Sequence, residues 1–190
     1  MIKLIGISGK ISSGKDQVGE YIQELVEDFK IKKFAYKLKL ITSILTGIPV
    51  EDLEKREVKD SFLGSEWNYM LDSKVEGQMT VRVFMQKLGT EGLREGVHKN
   101  IWVNALFSDY TPGEGWIITD TRFPNEAQAI KDRGGVVIRV NRPGIFSGDH
   151  PSETSLDEWQ FDYIITNDGA LEDLKQKVSN CLNTFQIMTN

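Results

Sequence analysis

The residues best suited to chemistry lie near the start of the sequence, in the run Gly9-Lys10-Ile11-Ser12-Ser13-Gly14-Lys15-Asp16. The first seven positions match the phosphate-binding pattern G-x-x-x-x-G-K, and an apolar, β-branched segment precedes them. Gly9 and Gly14 allow the backbone to curl, so that successive N–H groups point at phosphate oxygens. Lys15 is expected to face solvent, reach the β- and γ-phosphates of a nucleotide and offset charge during transfer. The run predicts a phosphate-binding loop.

The eighth position of this loop departs from the consensus. Asp16 stands where Ser or Thr usually ligates magnesium. A carboxylate is favourable at a helix N-terminus, and it is also a good oxygen ligand for Mg²⁺. We therefore predict that Asp16 serves the metal side of the site, with a role as helix cap only as the alternative.

Hydrophobic periodicity predicts an α/β domain in which strands alternate with helices. The expected architecture is a P-loop NTPase three-layer fold with a central parallel five-stranded sheet flanked by helices. Strands are predicted at 2–7, 31–35, 116–119, 136–140 and 163–166. Helices are predicted at 16–29, 38–45, 51–58, 80–88, 101–107, 124–133 and 171–185. Residues 59–79 and 141–159 have no predicted regular element, and we expect lids or binding segments there, with plain surface insertions as the alternative.

Composition limits the classes of protein to consider. The 190 residues fit one domain, and the net charge of -5 argues against a protein that grips a nucleic-acid backbone. The single cysteine, Cys181, cannot form an internal disulfide. No signal peptide or membrane-spanning run is apparent, so a reducing cytoplasm is the expected compartment.

Polar residues follow the predicted strand 116–119. Asp120 comes directly after this strand and Arg122 lies two residues further on. Ligands of open parallel sheets bind outside the carboxyl ends of the strands. Asp120 is therefore expected to orient a metal's water shell or an acceptor, and Arg122 to clamp a phosphate. A structural Asp–Arg pair is the alternative.

Arg82 and Gln86 share one face of the predicted helix 80–88, because they are four residues apart. Both side chains form bidentate hydrogen bonds with phosphates or base edges. A solvated polar face is the alternative.

The segment 141–159 carries the features of a lid. Arg142 enters it from the fourth predicted strand and is expected to swing onto bound phosphates and exclude water. His150 and Glu153 lie in the same segment, where a histidine more often caps or hinges than catalyses. Asn167 and Gly169 follow the last predicted strand and are expected near the donor adenine, with an ordinary turn as the alternative.

An ordered set of short blocks extends over almost the whole chain. The blocks are Ser8-Gly9-Lys10, Ser13-Gly14-Lys15-Asp16, Phe34-Ala35, Leu38-Lys39, Thr80-Val81-Arg82, Gln86-Lys87-Leu88-Gly89-Thr90-Glu91, Trp102-Val103, Asp120-Thr121-Arg122-Phe123-Pro124-Asn125-Glu126, His150-Pro151-Ser152-Glu153 and Asn167-Asp168-Gly169. Together they resemble the deoxynucleoside monophosphate kinases typical of bacteriophages. Residues 34–37 depart from the acidic-plus-proline step of that family, which leaves the substrate role of this segment open.

The resemblance implies one kinase domain over residues 1–190, with an acceptor-binding helical insertion at 36–110 and a lid-like segment at 141–159. It implies ATP as donor, a deoxynucleoside monophosphate as acceptor and Mg²⁺ as cofactor, held on the side of Asp16 and Asp120. The implied acceptor contacts are Lys39, Arg82, Gln86, Thr90, Asp120, Arg122 and Glu126. The expected partners include neither a nucleic-acid polymer nor a membrane, and a homodimer is one option.

Two alternatives remain open from the sequence. One is a P-loop kinase for another small acceptor, such as phosphomevalonate or dephospho-coenzyme A. The other is a nucleotide-binding regulatory module without turnover, although the chain has no Asn-Lys-x-Asp guanine reader.

Overall fold

The computed structural model describes residues 2–71, 74–145 and 150–187. Its strands, in chain order, are β1 (Leu4–Gly9), β2 (Phe29–Lys32), β3 (Tyr69–Leu71), β4 (Lys74–Gly77), β5 (Gly115–Ile118), β6 (Val136–Asn141) and β7 (Tyr163–Thr166). Its α-helices are α1 (Lys15–Leu25), α2 (Tyr36–Thr46), α3 (Arg56–Asp60), α4 (Val81–Gln86), α5 (Ile101–Phe107), α6 (Pro124–Lys131), α7 (Pro151–Thr154) and α8 (Leu171–Thr184). Short 3-10 turns occur at Asp52–Glu54 and Ser65–Trp67, and a π-helix spans Lys87–Glu95.

Five of the described strands form one parallel sheet in the order β2-β5-β1-β6-β7. Strand β1 lies at the centre, where Leu4 pairs with Trp116 and Ile5 with Val136. The three central strands β1, β5 and β6 are mostly apolar and buried, because helices cover both faces of a parallel sheet. The prediction of a central parallel five-stranded sheet flanked by helices is confirmed. All five carboxyl ends lie at one edge, and this edge carries the phosphate-binding loop.

The first helix is shorter than its pattern predicts. Periodicity indicated a helix over 16–29, but α1 ends at Leu25 and Val26 is already extended. Phe29 instead begins β2, where it pairs with Gly115 and is buried. Phe29 continues the apolar spacing of the helix but packs in the sheet instead. Strand β2 therefore starts two residues before the predicted strand 31–35.

The chain divides into two compact units. The first, called the sheet unit here, comprises Met1–Phe34 and Leu106–Asn190 and contains the five-stranded sheet. The second, called the inserted unit, comprises Ala35–Ala105. It contains α2, α3, α4, the π-helix and an antiparallel hairpin of β3 and β4.

Two predictions within the inserted unit are wrong. The single helix expected at 51–58 is divided into a 3-10 turn and α3, which begins only at Arg56. Lys55 between them is extended, so the helical hydrogen-bond pattern is interrupted. The segment 59–79, expected to lack regular structure, contains the β3–β4 hairpin. The acceptor-binding role of this unit stays a prediction.

The lid-like segment 141–159 is described only in part, because residues 146–149 lie outside the described residues. Its described portion contains α7, a single turn that begins after His150. Among the helices of the described residues, none combines the length and apolar character that crossing a bilayer requires.

Candidate functional site

The phosphate-binding loop is tightly curled at the end of β1. A Cβ atom on Gly9 would lie 2.4 Å from the Ser13 hydroxyl oxygen and 2.9 Å from the Val140 carbonyl oxygen, so only glycine fits there. Ser12 and Gly14 adopt left-handed backbone conformations, with φ of 63° and 96°. Gly14 then begins α1, whose first N–H groups and dipole favour an anion.

Asn167, the residue after β7, holds the loop. Its side-chain amide donates a hydrogen bond of 2.9 Å to the Ser13 carbonyl oxygen, and a Cβ atom on Gly14 would lie 2.6 Å from that amide nitrogen. Gly169 lies in the turn before α8, where a Cβ atom would lie 2.5 Å from the Asp173 carboxylate. The structure thus places Asn167 against the loop backbone, and its expected contact with adenine stays a prediction.

Lys15 is enclosed, and the expectation that it faces solvent is wrong, since the residue is only 9% exposed. Burial lowers the pKa of Lys15 from its ordinary value, and nearby Arg122 lowers it further. The carboxylates of Asp16, Asp120 and Glu153 raise it in opposition. The Asp16 carboxylate lies 3.6 Å from the Lys15 ammonium group. Lys15 is therefore a cation withdrawn from water, which strengthens its action on a phosphate.

Asp16 is exposed at the start of α1 and has three partners. Its carboxylate lies 3.3 Å from the Lys33 ammonium group and accepts a hydrogen bond of 3.2 Å from the Thr119 hydroxyl. Partial burial acts to raise the pKa of Asp16, but the attraction of Lys15 and Lys33 and the hydrogen bonds from Lys33 and Thr119 outweigh it and lower the pKa. The carboxylate is therefore kept ionised.

The donor set around Asp16 fits a magnesium ion. Within the described residues no cluster of three or more His, Cys, Asp or Glu side chains occurs. Mg²⁺ in phosphoryl-transfer sites is typically held by one or two carboxylates together with substrate phosphates and waters. An ionised, exposed Asp16 beside the phosphate-binding loop meets that requirement.

The turn after β5 positions Asp120 and Arg122. The Asp120 carboxylate is buried and accepts a hydrogen bond of 2.8 Å from the backbone N–H of Phe34. Glu126 accepts hydrogen bonds from the backbone N–H groups of Arg122 and Phe123, at 2.9 and 3.2 Å. At 2% exposure, Glu126 shapes the turn and caps α6, so direct contact with an acceptor does not fit its position.

Glu153 joins the turn to the phosphate-binding loop. One carboxylate oxygen accepts the backbone N–H of Ile11 at 3.1 Å, and the other forms an ion pair with Arg122. Arg122 also donates a hydrogen bond of 3.2 Å to the Ser152 carbonyl oxygen. The sequence grouped Glu153 with the lid but did not indicate either contact.

Asp157 makes a second link between the lid-like segment and the loop. Its carboxylate lies 3.3 Å from the Lys10 ammonium group and accepts a hydrogen bond of 3.0 Å from Arg139. Arg139, buried in β6, also donates to the Ser8 hydroxyl. Asp157 was not identified from the sequence, although it lies four residues after Glu153.

The remaining lid residues differ in their surroundings. His150 accepts the Ser152 backbone N–H through Nδ1 at 3.2 Å and so caps α7. Arg142 is exposed directly after β6. Its closure over phosphates stays a prediction.

Two of the predicted acceptor residues of the inserted unit, Lys39 and Arg82, already have ion-pair partners. Lys39 is buried and forms an ion pair with Glu54. Arg82 pairs with Asp60 through two nitrogens, at 2.7 and 2.8 Å. Gln86 is half-buried at the end of α4, and Thr90 is buried in the π-helix.

Comparison with known proteins identifies similar sequences. A family model described as deoxynucleotide monophosphate kinase matches residues 50–178. A relative from Acanthamoeba polyphaga mimivirus that carries this family name is 30% identical over 200 residues, covering 97% of this chain and 98% of the relative. The deoxynucleotide monophosphate kinase of Enterobacteria phage T4 is 36% identical over 137 residues, covering 68% of this chain and 57% of the phage protein.

Solved structures support the fold alone. A shikimate kinase from Acinetobacter baumannii superposes with a TM-score of 0.51 at 15% identity, covering 98% of this chain and 96% of that one. At 15% identity this likeness concerns the overall fold and not the substrate.

Proposed function

The chain belongs to the deoxynucleotide monophosphate kinase family, and on that premise we propose that it transfers the γ-phosphoryl group of ATP to a deoxynucleoside monophosphate. The products are ADP and a deoxynucleoside diphosphate. The observation that carries the proposal is the junction of the curled loop, the enclosed Lys15 and the Asp16 carboxylate at the carboxyl edge of the sheet. Anion binding and charge neutralisation at one place are what phosphoryl transfer needs.

The loop and α1 hold the donor. The N–H groups of residues 9–16 cradle the β- and γ-phosphates, and Lys15 neutralises the charge that develops on the transferred group. Asp16 and Asp120 would hold Mg²⁺, which would supply positive charge to the phosphate oxygens. Because Asp120 is buried and tied to the Phe34 backbone, Asp16 is the more accessible ligand.

Acceptor contacts are proposed for each unit by itself. In the sheet unit, Arg122 clamps the acceptor phosphate beside the loop. In the inserted unit, Arg82, Gln86 and Thr90 contact the nucleotide, and Lys39 adds positive charge. The pair with Asp60 uses Nε and one terminal nitrogen of Arg82, which leaves further N–H donors of its guanidinium for a ligand. Arg142 closes over the phosphates and excludes water.

A coupled ADP-release assay tests this proposal. The acceptor panel holds dGMP, dTMP, dAMP, dCMP, their ribose counterparts, phosphomevalonate and dephospho-coenzyme A. Acceptor-dependent ADP with one or more deoxynucleoside monophosphates is the expected result. ADP formed only with a non-nucleotide acceptor would contradict the proposed substrate. ATP binding without any acceptor-dependent ADP would favour a regulatory module. The cytoplasmic location and the homodimer option stay predictions.

A further inference from the structure

Glu153 bridges two parts of the site that must act together. Its Oε2 atom accepts the backbone N–H of Ile11, which belongs to the loop that holds the donor. Its Oε1 atom pairs with Arg122, which belongs to the turn assigned to the acceptor. The Glu153 side chain is 11% exposed, whereas that of Arg122 is 31% exposed. One enclosed carboxylate therefore fixes the more accessible arginine relative to the loop.

We propose that Glu153 is a positioning residue that holds the guanidinium of Arg122 in register with the phosphate-binding loop, so that acceptor and donor phosphates are aligned for transfer. This inference rests on the proposed function. Arg122 Nη1 is used by Glu153 and by the Ser152 carbonyl, and Nε and Nη2 remain as donors for a phosphate. The fork geometry of guanidinium makes its orientation matter as much as its charge.

The chemistry explains why such a residue would have a large effect. Phosphoryl transfer depends on positioning and charge neutralisation, and a displacement of about 1 Å can reduce the rate about 100-fold. The Glu153 carboxylate also opposes the lowering of the Lys15 pKa by burial. It therefore influences both cations that face the transferred group without touching a substrate.

Because the two carboxylate oxygens of Glu153 have different partners, substitutions can test the two contacts separately. Glu153→Gln keeps one oxygen that can accept the Ile11 N–H but removes the charge that orients Arg122. We expect kcat to fall about 10- to 100-fold, acceptor affinity to weaken, and the KM for ATP to stay within about twofold. Glu153→Ala removes both contacts, and we expect a raised KM for ATP in addition. Glu158→Gln is the matched control, because Glu158 is an exposed carboxylate five residues away.

A double-mutant cycle with Arg122→Met decides whether Glu153 acts through Arg122. If it does, Glu153→Gln has little further effect on kcat or acceptor affinity once Arg122 is replaced. Additive losses, or a loss no larger than that of Glu158→Gln, would overturn the proposal. Thermal melting of all variants identifies any that fail to fold, and Glu153→Asp then supplies a second cycle with the charge retained.

The same measurements separate this inference from the proposed function. Acceptor-dependent ADP release by the unmodified chain decides whether it is a deoxynucleoside monophosphate kinase. The double-mutant cycle decides whether Glu153 acts through Arg122. For this cycle, calorimetry measures the affinity of each variant for the deoxynucleoside monophosphates of the panel. If the chain is an active kinase but the losses from Glu153→Gln and Arg122→Met add up, the proposed function stands and the positioning role of Glu153 is rejected.

Discussion

Lys15 is buried, yet its proposed role requires a positive charge on its side chain. Burial lowers its pKa, and carboxylates around it act in the opposite direction. An ammonium group in such surroundings is poorly hydrated, so it interacts strongly with a phosphate that enters. Because burial disfavours the charged form of Lys15, its positive charge lowers the stability of the fold when no nucleotide is bound.

Replacing Lys15 with Met should separate these two effects. We expect kcat to fall at least about 100-fold, because the cation that stabilises developing charge is lost. The free energy of unfolding should not fall, because Met has similar length and needs no hydration. ADP release and urea unfolding measure the two quantities. Near-normal turnover in Lys15→Met would contradict the loop assignment.

Asp16 gives a prediction about pH. Its pKa is lowered in the fold, so its ionic contacts stabilise the fold fully above the unfolded-state value of 3.8 and lose that contribution as pH falls below it. Asp16→Asn should therefore be less stable than the unmodified chain at pH 7 and pH 5 by a constant amount. Because the carboxylate is 55% exposed, the difference should stay below about 1 kcal/mol.

Urea unfolding at pH 7, 5 and 3.5 checks the prediction for Asp16. The gap between the two proteins should be smaller at pH 3.5. A gap that widens on acidification would show that the contacts with Lys15, Lys33 and Thr119 do not lower the pKa. Activity at pH 7 should fall as well, since the predicted metal ligand loses its charge.

Sequence reasoning identified those site residues whose role follows from local spacing. Lys15 and Asp16 are adjacent in a loop pattern, and Asp120 follows a recognisable strand, so the sheet edge was predictable. Glu153 and Arg122 are separated by 31 positions, and no local pattern indicates that they pair. Lys33 and Thr119 reach Asp16 because β5 lies beside β1 and β2 lies beside β5, and strand order does not follow from strand pattern.

The turn from the loop into α1 requires glycine at position 14. Its φ of 96° strains any side chain, and a Cβ atom would lie 2.6 Å from the Asn167 amide that holds the Ser13 carbonyl. Gly14→Ala should therefore cost about 1–2 kcal/mol for the backbone and about 1 kcal/mol for the lost hydrogen bond. Urea unfolding and the KM for ATP measure the effect.

Gly113→Ala is the matched control for Gly14. Gly113 has φ of 100° in the same unit, but a Cβ atom there meets nothing within 4 Å. Its replacement should show the backbone cost alone and leave the KM for ATP unchanged. Equal stability losses in the two variants would contradict a role for the Asn167 contact.

The sequence did not predict the π-helix over Lys87–Glu95, because Leu88 and Leu93 are five positions apart and two glycines between them weaken helical propensity. Within this π-helix, the Gly89 carbonyl oxygen accepts a hydrogen bond of 2.9 Å from the Trp102 indole N–H. A Cβ atom on Gly89 would also lie 2.7 Å from Leu38. Such tertiary contacts, rather than local propensity, select this geometry.

Trp102→Phe tests this contact within the inserted unit. The buried Gly89 carbonyl would lose its donor, so we expect a loss of about 1–3 kcal/mol in the free energy of unfolding. Trp67→Phe is the control, because Trp67 is a half-buried tryptophan that packs edge-on against Phe84 in the same unit. Equal losses in the two variants would show that the indole hydrogen bond is unimportant.

The proposed donor contacts lie in the sheet unit, whereas most of the proposed acceptor contacts lie in the inserted unit. The loop, Lys15 and Asp16 belong to the sheet unit, whereas Arg82, Gln86 and Thr90 belong to the inserted unit. If the donor is held mainly by the first set and the acceptor by the second, the substrates should stabilise the protein separately. Each ligand should add about 2.7 kcal/mol at a concentration of 100 times its Kd.

Thermal melting with a non-hydrolysable ATP analogue and with a deoxynucleoside monophosphate tests this separation. Lys15→Met should reduce the shift produced by the analogue and keep the shift produced by the monophosphate. Arg82→Met should do the reverse, at little cost in stability, because its partner Asp60 is exposed and needs no replacement. If either variant lost both shifts equally while still melting cooperatively, the assignment of one substrate to each set of residues would be wrong.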